Sequence, residues 1–198
     1  MSIEWTDTIS AAAAALSAIA AGGAWWAARR SAATAETLAS LERDRRHEDL
    51  TPEIRLSLTG RFGNNGSITV HLAGPDSLGD LTSVELEMVN DDMDHRVLNP
   101  TPEFTQEDSD AHVWRPFRFV PGIDGADENG RRTGKMPLAV GRGRPFAVER
   151  KQPGHWMEGP VATRWQNRYV GLPIRVRVTC RRSDESWVLA RELENPSL

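Results

Sequence analysis

No proline occurs before Pro52, and all twelve prolines of the chain lie at or after it. Of the sixteen glycines, only Gly22 and Gly23 precede that point. Proline removes a helix donor and clashes with the preceding turn, and glycine raises the entropy cost of ordering. Residues before about 51 can therefore run as uninterrupted helix, while residues after it cannot do so for long. With 198 residues there is room for one ordinary domain and an appendage.

The appendage begins with an uncharged run. From Thr8 to Ala28 no residue carries charge. As a helix this run would be roughly 31 Å long, close to the thickness of a bilayer's hydrocarbon core. Trp5 lies before the run, and Trp25 and Trp26 close it. In a helix they would sit at the two aromatic belts of a membrane, and Arg29 and Arg30 would reach the headgroups beyond. The interior is alanine-rich, and Ile9, Leu16 and Ile19 are its strongly apolar members. Each adds only about −0.3 to −0.6 kcal/mol to insertion, so the span is a marginal one. Ala14, Ala18 and Gly22 recur every four residues and would let two such helices pack closely, as a homo-oligomer. A cleaved signal peptide would need a basic start, and the first seven residues carry Glu4 and Asp7 instead. A soluble alanine-rich helix is the remaining alternative.

These features predict a short tail over 1–7, a transmembrane helix over 8–28 and a charged helical stalk over 29–50. The stalk has helix formers throughout, a brief Leu38–Leu41 stripe and a mixed-sign run, ERDRRHED. Basic residues follow the span, so the positive-inside rule places the carboxyl-terminal domain in the cytoplasm of a single-pass membrane protein.

After Pro52 the apolar period changes to two. EIRLSLT carries Ile54, Leu56 and Leu58 in alternation, and SITVHLA carries Ile68, Val70 and Leu72. Asn65-Gly66 between them predicts a hairpin turn. Further strands are predicted at 82–89, 112–120, 145–149, 172–180 and 186–194, with no amphipathic helix among them. The expectation for 52–198 is an antiparallel, immunoglobulin-like β-sandwich of seven or eight strands. Cys180 shares parity with Ile174, Val176 and Val178 and should face its core. Trp114, Trp156, Trp165 and Trp187 should be core anchors; as a sugar platform, two would have to lie exposed side by side.

Chemistry is scarcely signalled. The net charge of −4 gives no pull toward nucleic acid. A single cysteine excludes a disulfide framework and a multi-cysteine zinc site. The five histidines lack metal-ligand spacing, and no nucleophile elbow, P-loop or dinucleotide fingerprint occurs. Asn90, Asp91, Asp92 and Asp94, and DGADENG at 124–130, are expected to be solvated turns without metal. No cofactor, metal or catalytic residue is expected. A basic run from 131 to 151 includes Arg131, Arg132, Lys135, Arg142 and Arg144. It would pair with the acid-rich stretch from Glu103 to Asp110, or contact anionic lipid headgroups or a phosphate-bearing partner.

Three stretches, RRHEDLTPEIRLSL (45–58), HLAGPDSLGDLTSVELEMVNDD (71–92) and LPIRVRVTCRRSDESWVLARELE (172–194), carry a resemblance. The layout resembles uncharacterised single-pass membrane proteins of high-GC Gram-positive bacteria, with a juxtamembrane helix and a β-sandwich domain. That resemblance implies the layout and adds no site. The functional expectation is a membrane-anchored binding or scaffolding module, partnered by the bilayer and by an unidentified protein. The alternatives are a carbohydrate-binding envelope module, a hydrolase built from scattered Asp, His and Arg, and a soluble oligomer formed through the helix.

Overall fold

The computed structural model describes residues 25–195 except 27, 28, 33, 63, 170 and 184, with backbone alone at 60–62. Trp5 and nearly all of the 8–28 run thus lie outside the described residues. The chain forms two compact units, 1–49 and 50–198.

In the first unit every described residue from 25 to 49 is helical (α1). Leu38 and Leu41 are exposed on it, as are Trp25 and Trp26. Arg29 places its guanidinium 4.2 Å from the Trp25 ring centre, and Arg30 lies 5.4 Å from that of Trp26. This is the i,i+4 neighbourhood of a helix face, with cations over indole rings. Among the described residues no helix is long and apolar enough to cross a membrane.

The second unit is mainly β. Its described residues form eight strands: β1 (Glu53–Phe62), β2 (Asn65–Gly74), β3 (Leu81–Met88), β4 (Phe117–Phe119), β5 (Met136–Leu138), β6 (Gly143–Arg150), β7 (Ile174–Arg182) and β8 (Glu185–Leu193). They form two antiparallel sheets of four, ordered β1-β2-β6-β4 and β5-β3-β7-β8. The period-2 alternation decides which side chains go inward. β2 buries Ile68, Val70 and Leu72; β7 buries Ile174, Val176, Val178 and Cys180. These join Leu86, Met88, Phe117, Phe119, Phe146, Val148 and Trp187 in one core fed by both sheets. Burial pushes the Cys180 thiol up to about 12, so it serves as a small core hydrophobe.

Four expectations need correction. Phe62 already pairs with Asn65, so the first reversal precedes Asn65-Gly66, and both belong to β2. Of 112–120 only Phe117–Phe119 pairs as a strand; His112 to Pro116 are buried in irregular backbone. The short edge strand β5 goes beyond the expected set, and two helices interrupt the β region. Helix α2 (Gln106–Ala111) starts on a capping box. The Asp108 backbone N–H donates to Thr105 Oγ1 at 3.3 Å, and the Thr105 N–H donates to Asp108 Oδ2 at 2.8 Å. Helix α3 (Gly159–Tyr169) opens at Gly159-Pro160 and stops before Gly171, whose φ of 77° provides a left-handed terminus. Its buried stripe is only Trp165 and Tyr169, four residues apart. That stripe is too narrow to announce an amphipathic helix from sequence.

Candidate functional site

A second, smaller core lies apart from the main one. Trp114, Trp165 and Tyr169 are buried together, with Met157 and Leu172 packed against them. Clefts open around this aromatic knot. One is a bowl of about 640 Å³, whose lining includes Asp91, Asp94, His95, Arg96, Asp110 and Trp114. A second, of about 560 Å³, shares His95 and Trp114 and reaches Arg164, Arg168 and Tyr169 on α3.

The bowl is assembled by hydrogen bonds between chain segments that have no regular pairing. Arg115 is 3% exposed and donates to the carbonyls of Val89 (2.8 Å), Asn90 (3.0 Å) and Pro173 (3.5 Å). Burial is the main influence lowering its pKa. Asn90 accepts from the Trp114 N–H at 3.0 Å and donates to the His112 carbonyl at 3.4 Å. The end of β3, the start of β7 and the 112–115 segment are thereby held together. The Trp114 indole donates to the Ser109 carbonyl at 2.9 Å, and the Ser109 hydroxyl donates to the His95 carbonyl at 2.8 Å. The His95 ring then lies flat on Trp114, centres 3.8 Å apart and 4° from parallel.

Asp91 joins this stack to α3. Its Oδ2 accepts the Tyr169 hydroxyl at 2.6 Å, and its Oδ1 contacts His95 Nε2. Burial, followed by the bond to Asp91, raises the Tyr169 pKa, so the phenol stays a donor. The acidic turn is therefore only partly a solvated one. Asp92 pairs with Arg175 at 2.7 Å and Asp94 accepts the Arg96 N–H at 2.9 Å, while Asp91 is a half-buried junction.

His112, 6% exposed, lies edge-on to Trp114, Trp156 and Trp165. Burial, then the nearby cations Lys151, Arg118 and Arg131 together with His95, lowers its pKa to about 3. It is a neutral imidazole at physiological pH. Its Nε2 and the Trp165 Nε1 are both buried without a hydrogen-bond partner.

The other residues singled out from sequence fall elsewhere. Arg131 donates to the carbonyls of Asp110 (2.6 Å) and His112 (3.0 Å), joining the basic run to the acid-rich stretch through backbone oxygens. Arg132 pairs with Glu87 at 2.9 Å, which also holds Arg177 at 2.8 Å. Arg144 lies 3.9 Å from Asp124. Lys135 and Arg142 are exposed. The five cations thus attach to different places, two beside β3 and one on β6. In DGADENG the Asp127 carboxylate accepts the N–H groups of Arg131 (2.8 Å) and Arg132 (3.0 Å), and Asp124 accepts that of Ala147 (3.0 Å). Among the described residues no group of His, Cys, Asp and Glu is arranged to hold a metal ion. Trp187 is in the main core, and Trp156 stacks on Phe104 with centres 4.3 Å apart.

No family model, curated protein or solved structure matches this chain.

Proposed function

We propose that this chain is a membrane-tethered, non-catalytic binding module, and that its bowl over the His95–Trp114 stack receives a segment of a protein partner. One observation carries the binding role: the groups that could do chemistry are committed to one another. Both Asp91 oxygens are engaged by Tyr169 and His95, and Ser109 by the His95 carbonyl. Gln106 donates to Asp110 at 2.8 Å. What faces outward is a preorganised surface of both charge signs, suited to recognition. The buried Trp114, Trp165 and Trp187 weigh against the carbohydrate-binding alternative.

The strand order supports an immunoglobulin-like sandwich for the domain. β1-β2-β6-β4 faces β5-β3-β7-β8, which parallels the ABED and CFG sheets of that fold, with hairpins β1-β2 and β7-β8 in opposite sheets. The tether rests on the uncharged run 8–28, bounded by the exposed Trp25 and Trp26 and by Arg29 and Arg30. The domain then lies on the cytoplasmic side.

A photo-crosslinking side chain placed at Arg96, on the bowl rim, tests the binding role in cells expressing the full chain. The expected result is a discrete adduct that is missing when the same group replaces the exposed Val188 on β8. Equal adducts from both positions, or none from Arg96, would sink the proposal.

A further inference from the structure

A third cleft, of about 430 Å³, lies beside Trp165 and Tyr169, between the end of β6 and α3. Its charge pattern differs from that of the bowl. Arg150 and Lys151 line it, and so do the amide residues Asn64, Gln152, Gln166 and Asn167. No Asp or Glu is among its lining residues. Its size falls within the range of about 300–1,000 Å³ usual for small-molecule sites.

Two features favour an anion there. The backbone that carries both cations is fixed: the Arg150 N–H donates to the Asn64 carbonyl at 2.6 Å, and the Lys151 N–H donates to the Pro116 carbonyl at 2.9 Å. Arg150 also lies over the Phe117 ring, 5.7 Å from its centre. And the donors lack acceptors. Lys151 is half-buried and forms no ion pair among the described residues, while Trp165 Nε1 is buried without a partner in the same wall. A half-buried ammonium with no carboxylate paired to it and an idle indole N–H are costly unless a ligand supplies the acceptors.

We propose that this cleft binds a small organic anion, a phosphate or carboxylate carried on a flat or apolar body. Arg150 and Lys151 take the charge, Trp165 and the amides of Gln166 and Asn167 supply further donors, and the body lies against the aromatic wall. This site is separate from the bowl, and its success or failure does not depend on the partner proposed there.

The state of Lys151 makes the binding pH-dependent. Burial, followed by the Arg118 charge and partly offset by Glu149, lowers its pKa to about 8. Arg150 precedes it at the end of β6, and neutral His112, with Asp108 and His155, lines the adjoining cleft that Lys151 also borders. An anion favours the protonated amine, so binding should draw a proton onto Lys151 and weaken as pH rises above 8.

The test titrates the full chain in neutral detergent with phenyl phosphate, and separately with benzoate and inorganic phosphate. The readout is the Trp165 indole N–H resonance, assigned by its loss in Trp165→Phe. Saturable shifts with phenyl phosphate or benzoate are expected, weaker with inorganic phosphate, and falling about tenfold in affinity per pH unit above 8. Lys151→Gln should weaken binding by about ten- to a hundredfold while Arg142→Gln leaves it unchanged. The thermal midpoint of Lys151→Gln shows that it still folds. No saturable shift with any of the three anions, or equal binding by folded Lys151→Gln, would overturn the site.

Discussion

His112 shows how one side chain's surroundings set a property of the whole domain. Its imidazole sits among tryptophans and near cations, and its folded pKa is about 3, against an ordinary value of 6.5. The unfolded chain therefore binds a proton between these values that the folded chain refuses. Stability associated with neutral His112 is complete above pH 6.5 and drains as pH falls toward 3, by about 1.4 kcal/mol per unit. In chemical denaturation at pH 7, 5.5 and 4.5, His112→Gln should show a shallower acid loss than the parent. An equal slope in both proteins would show that His112 is not the proton acceptor. None of this was visible in the sequence. His112 occurs in an alternating stretch that reads as a strand, and its neighbours Trp156 and Trp165 are more than forty residues away. Asp91 was hidden for a similar reason. A run of Asp and Asn after a strand looks like a solvated turn until Tyr169, on a helix far along the chain, supplies a hydroxyl.

At the scale of elements, the strands were largely legible because their signal is local. Alternation at 54–58, 68–72 and 174–180 places each side chain on one face without reference to anything distant. Cys180 followed from that parity alone. The crossover from β3 to β4 and the helix α3 were not legible, because side chains hold them rather than a repeating pattern. Arg115 is the clearest case. Arginine is rarely buried, yet here its donors satisfy three carbonyls at the ends of β3 and before β7. Arg115→Ala leaves those oxygens unpaired and a hole behind them. It should destabilise the domain by about 2–4 kcal/mol in urea denaturation, and Arg115→Met, which keeps the stem, by less. A neutral outcome for both would mean that water replaces the guanidinium at little cost.

For the whole molecule, the division into helix and β domain is the most sequence-legible property of all. Proline confined to one side of residue 51 forbids a long helix there and permits one before it. The second unit is a mainly β domain of two antiparallel sheets, which is consistent with that division. What the domain is for depends on where the first unit holds it. The exposed Trp25 and Trp26, each with an arginine over its ring, lie at the end of a run free of charge since Thr8. In the tether proposed above, alanine would supply little of the insertion free energy, and the flanking residues would carry much of the anchoring. Alkaline carbonate extraction of membranes from bacteria expressing the full chain tests the tether directly. The protein should stay in the membrane pellet, and Trp25→Ala with Trp26→Ala should shift part of it to the supernatant. Complete release of the parent chain into the supernatant would contradict a membrane-tethered module.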